Sequence, residues 1–253
     1  MNAGEVTAFA PQIVLGLSPS VHQPGRVPKK MLVEQAASQP VDAALITRAV
    51  ARATVQAVLR ADNLKIPAYV DEQRRIDDIA VFHVELSDSA SSADTTRLLE
   101  LLHRSMPRPL ILFLSSPRDG ESVSLALTHT NLGDPERATS VIDQSVVVPL
   151  TSIAPGGLRI DNLNRTDLWS LYRDLVRVAA ANGHPASPSL STDEALDLRG
   201  RLTVLNAELT VVARDAKKEK SHAGRIRLNT EARELRQKIE TVAGSLYSPA
   251  SPQ

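Results

Sequence analysis

IAVFHVELS, Ile79 to Ser87, is the stretch on which the fold class turns. Ala80, Phe82, Val84 and Leu86 fall on one side of an extended chain, and Ile79, Val81, His83 and Glu85 fall on the other, the period of two expected of a strand. Downstream, Asp94 is placed to cap a helix carrying Leu98, Leu101 and Leu102. MPRP, Met106 to Pro109, ends that helix, because proline blocks its continuation and restrains the residue before it. LILFL, Leu110 to Leu114, is apolar on both faces and predicts a strand covered on both sides. Strand, helix and strand in that order predict a right-handed parallel crossover. SPRDGES, Ser116 to Ser122, then supplies Pro, Asp and Gly for a reverse turn, and VSLALTH after it alternates again, so a hairpin follows the crossover. The predicted class is α/β, a small mixed β-sheet flanked by helices.

Working outward, residues 1–40 hold Pro11, Pro19, Pro24, Pro28 and Pro40 and predict an extended N-terminal arm. Asp42 is expected to cap a helix from Ala43 to Arg60, in which Ile46, Val50, Ala53 and Ala57 recur at helical spacing. A short strand is expected at VVV, Val146 to Val148, and a packed helix over Thr166–Ala181 with Trp169, Tyr172, Leu175 and Val176. Residues 41–182 thus form the predicted core domain, and 183–190, with GHPASP, a linker. Beyond it Leu198, Leu202, Leu205, Leu209 and Val212 make one heptad-spaced seam, and Leu228, Ala232, Leu235, Ile239, Val242 and Leu246 make a second. The two are out of phase, with the break inside AKKEKSHAGRIRLN, Ala216 to Asn229. An antiparallel, coiled-coil-like helical hairpin over 191–246 is the first expectation, a single long helix with a discontinuity the second. A disordered tail is expected over 247–253.

The chain has no cysteine, which excludes disulfides, thiolate metal sites and thiol catalysis and fits a cytoplasmic location. Neither an export signal nor an apolar run of membrane-spanning length is present. The formal net charge is zero, so nucleic-acid binding would need a local basic patch. Such a surplus lies in the C-terminal arm, where Arg214, Lys217, Lys218, Lys220, Arg225, Arg227, Arg233, Arg236 and Lys238 outnumber Asp215, Glu219, Glu231 and Glu234. Lys217, Lys218, Lys220, Arg225 and Arg227 are the candidate contacts to a partner or to nucleic acid. Lys29 and Lys30, and Arg74 and Arg75 in the charged turn Tyr69–Ala80, are further candidates.

Catalytic signatures are incomplete. His83 and Glu85 share a strand face roughly 7 Å apart, but no serine, second carboxylate or metal ligand stands at a recognisable spacing. A nuclease core built on Asp78 and Glu85 would need a lysine two residues after Glu85, where Ser87 stands. His103 is placed to meet a helix dipole, and His129 is expected to be a hydrogen-bonded strand histidine. GDPERA and APGGLR lack the phosphate-loop lysine, and there is no dinucleotide-binding glycine pattern. No catalytic residue, metal site or cofactor is predicted.

RVPKKMLVE (Arg26–Glu34), IDDIAVFHVEL (Ile76–Leu86), LLHRSMPRPLILFL (Leu101–Leu114) and KEKSHAGRIRLN together resemble the bacterial domain-of-unknown-function family numbered 4391. Family proteins often carry an aromatic where this chain has Arg108, and another at His222 or Ala223. The resemblance implies no activity; it implies companions, namely helicases and DNA methyltransferases of restriction-modification or phage-defence loci. Three readings are ranked from this. The first is a non-enzymatic accessory protein that docks such an enzyme or its DNA. A stand-alone nucleic-acid-binding module comes second, and a hydrolase around His83 and Glu85 third.

Overall fold

In the computed structural model, which describes residues 10–130, 140–184, 186 and 189–247, the alternating stretch is the second of the sheet's central strands. The elements before it are α1 (Pro11–Leu15), β1 (His22–Arg26), α2 (Lys29–Ala36), α3 (Pro40–Ala49), β2 (Val50–Arg60) and α4 (Ala61–Leu64). A two-strand ribbon, β3 (Tyr69–Val70) and β4 (Arg75–Ile76), leads into β5 (Asp78–Leu86). Then come α5 (Ser92–Ser105), β6 (Leu110–Ser116), β7 (Gly120–Thr130), β8 (Ser140–Pro149), α6 (Leu168–Ala180), α7 (Thr192–Lys218) and α8 (His222–Leu246).

The main sheet runs β1-β2-β5-β6-β7-β8. Only β5 and β6 are parallel, so the sheet is mixed, as the sequence predicts. Alternation along β5 divides the core in two. Ala80, Phe82, Val84 and Leu86 pack with α2, α3 and α5, while Ile79 and Val81 face the cluster that holds α1, α6 and the near ends of α7 and α8. β6 is buried on both faces, as its unbroken apolar run requires. Where β6 and β7 splay apart, the buried Tyr172 hydroxyl bridges them: it lies 3.0 Å from the Leu110 carbonyl and 3.1 Å from that of Ala126, and it accepts from the Ala126 N–H.

Two local expectations are corrected. Residues 10–40 are not an extended arm. Pro11 and Pro40 start helices, Pro28 is the N-cap of α2, and Pro24 sits in the edge strand β1, all positions where a missing N–H costs little. Leu15, Val21 and Leu32 are buried. The helix expected to reach Arg60 stops at Ala49, and Val50–Arg60 is β2, paired with β5 along its length. Bulges between Val50 and Arg52 and between Val55 and Ala57 reset the strand's phase. Val50 and Ala53 therefore face one core and Ala57 the other, which reproduces helical spacing in a strand.

Capping is also rearranged. Ser91 caps α5 and Asp94 closes the box from the third position, its Oδ2 accepting from the Ser91 N–H and hydroxyl. Asp42 lies inside the first turn of α3, buried, and binds Arg97.

The C-terminal arm is two helices joined by Glu219, Lys220 and Ser221, packed along each other as an antiparallel hairpin. Its base belongs to the body. Ala195, Leu196, Leu202 and Leu246 are in the core, Thr192 Oγ1 donates to the Arg173 carbonyl, and Arg199 donates to Asn182, which donates to the Tyr247 hydroxyl. The segment predicted as a linker is held too: Gly183, at φ +69°, leaves no room for a Cβ on Gly157, and Ala186 bridges to Tyr247. Tyr247 is thereby ordered against the body; the rest of the predicted tail, 248–253, lies outside the described residues.

Candidate nucleic-acid interface

The hairpin carries the chain's charge away from its core. The 27 residues of α7 span about 40 Å. Apolar contact with the body reaches only Leu202 on α7 and Ile239 on α8. The roughly 24 Å beyond Leu202 holds itself together through the inner seam, where Ala232 and Leu235 are buried. Of the 29 basic and 29 acidic residues, Leu209–Lys238 contains nine basic and four acidic, leaving twenty basic and twenty-five acidic elsewhere. Zero net charge therefore conceals a positive far end and a negative remainder.

At the turn itself, Lys217, Lys218, Lys220, Arg225 and Arg227 are all exposed. Among the described residues none of the five makes an ion pair, whereas arginines of the body are tied down: Arg48 to Asp94, Arg97 to Asp42, Arg108 to Asp78 and Arg177 to Asp174. Lys217 and Lys218 occupy the last turn of α7, where a cation meets the negative end of the helix dipole. Arg225 does not have that explanation. It stands in the first turn of α8, which has no acidic residue of its own, and there the dipole opposes it. Ser221 caps α8, and the Glu219 carboxylate accepts from the Ser221 N–H. A Cβ added at Gly224 would lie 2.7 Å from the Glu219 Cδ, so a larger residue there would make that carboxylate shift.

The other candidate cations are engaged. Arg74 donates to the Thr128 carbonyl, pairs with Asp71 and Asp143, and lies 5.0 Å from the centre of the Trp169 ring. With 19% of its side chain exposed, it pins the β3–β4 ribbon to the sheet. Arg75 pairs with Asp77, Lys29 donates to the Thr47 carbonyl, and Lys30 pairs with Glu34 while 86% exposed. These sites are not brought together with the hairpin tip.

The polar face of β5 is richer than its sequence suggests. His83 Nε2 lies 2.6 Å from the Ser115 hydroxyl, which donates to Glu121 at 2.7 Å. Burial holds the imidazole below its ordinary range, and the Glu121 and Glu85 charges oppose that shift. Since Ser115 gives its proton to Glu121, it accepts from His83 Nε2–H. A nucleophilic serine needs the reverse, an imidazole nitrogen that accepts its proton. Glu85 itself faces Arg52, at 4.0 Å. Asp78, the other acid of a nuclease core, is held by both oxygens to Arg108 at 2.7 and 2.8 Å. Neither Ser115 nor Glu121 stands out in the sequence. The hairpin register that pairs Ser115 with Glu85 on one side and Glu121 on the other brings them in.

His103 corrects an expectation. It stands in the last turn of α5, but it is buried, lies 2.9 Å from the buried Ser124 hydroxyl, and has its pKa pushed down by burial to about 4. His129 meets Asp143 at 2.7 Å through Nδ1. Among the described residues no cluster of His, Asp and Glu is arranged to hold a metal ion, and no helix is long and apolar enough to cross a membrane.

Comparison with protein families gives a match over residues 15–239 to a model described as "Domain of unknown function (DUF4391)". No curated protein matches, and no solved structure matches.

Proposed function

The chain belongs to the family Domain of unknown function (DUF4391), and from that premise we propose that it is a non-enzymatic interaction protein whose hairpin presents a cationic tip to the phosphate backbone of nucleic acid. The observation that carries this is the separation of charge. Five exposed cations without ion pairs crowd a turn held away from the core, and one of them, Arg225, stands against its own helix dipole. Charges that no ion pair holds are available to a partner, and a basic surface of this kind binds phosphate without reading sequence. The arm has no aromatic before Tyr247 for base stacking, so the contact is electrostatic.

The reading extends to companions. The nucleic acid is DNA handled by a helicase or DNA methyltransferase of a restriction-modification or phage-defence system, in the cytoplasm, with this chain as the accessory subunit. Both readings require the tip to bind DNA; an affinity that no such enzyme changes would favour the stand-alone module instead.

Lysine acetylation with and without a DNA duplex, read by mass spectrometry, tests the placement. DNA is expected to protect Lys217, Lys218 and Lys220 while Lys30 stays reactive. Equal labelling of all four in both conditions contradicts it. The hydrolase alternative rests on His83, Ser115 and Glu121. Its proton order speaks against it, and ester or phosphodiester turnover abolished by His83→Ala would restore it.

A further inference from the structure

A second site lies on the other side of the sheet, between α5 and the edge strand β8. The cleft there encloses about 480 Å³, within the several-hundred-Å³ range of small-molecule sites. On this face α5 packs against β7 and β8, and the cleft opens between the helix and these strands. The apolar part of the walls comes from Leu99 on α5 and Val141, Ile142 and Val147 on β8, and Thr96, Glu100, Arg104 and Ser145 complete them. Val141 and Val147 are 37% and 45% exposed, so an occupant would remove apolar surface from water.

The floor is polar and deeply buried. His103 is 3% exposed and Ser124 1%, and the two are hydrogen-bonded to each other. Among the described residues this is the only hydrogen bond of the His103 ring, and Nδ1 is not among the buried atoms that lack a partner, so it is free to meet an occupant or water. A neutral imidazole has one donor and one acceptor nitrogen. If Nε2 donates to Ser124, Nδ1 is an acceptor; if Ser124 donates to Nε2, Nδ1 carries the proton. A hydroxyl is both donor and acceptor and satisfies either arrangement. A charged group fits poorly, because the floor has no counter-charge and Glu100 at the rim is already engaged by Arg97 and Arg104.

We infer that this cleft binds a neutral small molecule of the phenol or alcohol class, with its hydroxyl on the His103–Ser124 pair and its apolar body against Leu99, Ile142 and Val147. The inference is independent of the hairpin. Fluorine NMR with 4-fluorophenol and fluorobenzene as probes tests it on the full chain. Saturable binding of 4-fluorophenol is expected, with fluorobenzene at least tenfold weaker for want of the hydroxyl. Thr96→Phe and Ser145→Phe, at exposed positions on opposite walls, fill the cleft without entering the core. Each is expected to abolish binding at an unchanged melting temperature. A response that does not saturate, equal affinity for the two probes, or binding that survives in the filled variants overturns the proposal. The two-probe comparison on the unaltered chain decides the matter even if a filled variant folds poorly.

Discussion

His103 stands one helical turn after Leu99 on the buried face of α5, and its imidazole shows what a polar group does there. Burial brings its pKa to about 4, against about 6.5 in the unfolded chain. Between those values the unfolded chain binds more protons. The stabilisation is thus complete above about pH 6.5 and is lost as pH falls towards 4, by about 3 kcal/mol. Burial lowers His83 in the same direction. Urea unfolding across pH 4 to 7 should show this slope in the natural chain and a flatter one in His103→Leu; parallel profiles would contradict the assignment. Tyr172→Phe removes the hydroxyl between β6 and β7 and strands the Ala126 N–H, at an expected cost of about 1–3 kcal/mol in chemical denaturation. The alternation in IAVFHVELS places His83 and Glu85 on their face without the structure. Ser115, Glu121 and Ser124 were not legible as partners, because the serines meet their histidines, and Glu121 meets Ser115, through sheet register or helix docking, which local pattern does not contain.

At the scale of elements, the strand, crossover and hairpin from Asp78 to Thr130 were legible because each has one unbroken period. β2 was not, since its two bulges turn a strand's burial into helical spacing. The β-branched content of VARATVQAVLR was the competing signal. Prolines misled in the same way, marking helix starts and a sheet edge rather than an arm. The hairpin was legible from its out-of-phase seams, but the attachment of its base to α6 and β8 was not. Arg225 gives the element a diagnostic test. Arg225→Glu relieves the clash with the dipole of α8, so thermal melting should be unchanged or slightly raised while DNA affinity falls several-fold. A lowered melting temperature with unchanged affinity would make Arg225 a structural residue.

For the molecule as a whole, charge separation and fold are divisible. Ending the chain near Gly183 would strip Ala195, Leu196, Leu202 and Leu246 from the core and is expected to abolish cooperative unfolding. Excising residues 209–232 and closing α7 onto α8 with a short Gly-Ser turn leaves those contacts and should keep it. If the excised chain unfolds, the far hairpin is part of the cooperative unit after all. The central claim, that the tip cations meet phosphate, is tested most directly by anisotropy of a labelled DNA duplex across a sodium chloride titration. The natural chain is compared with the variant carrying glutamine at Lys217, Lys218, Lys220, Arg225 and Arg227. Every cation withdrawn from a phosphate makes the slope of log affinity against log salt shallower by about 0.9. The account predicts weaker, less salt-sensitive binding by the variant at an unchanged melting temperature, with the two curves converging at high salt. Superimposable curves, or no binding by the natural chain at low salt, would contradict it.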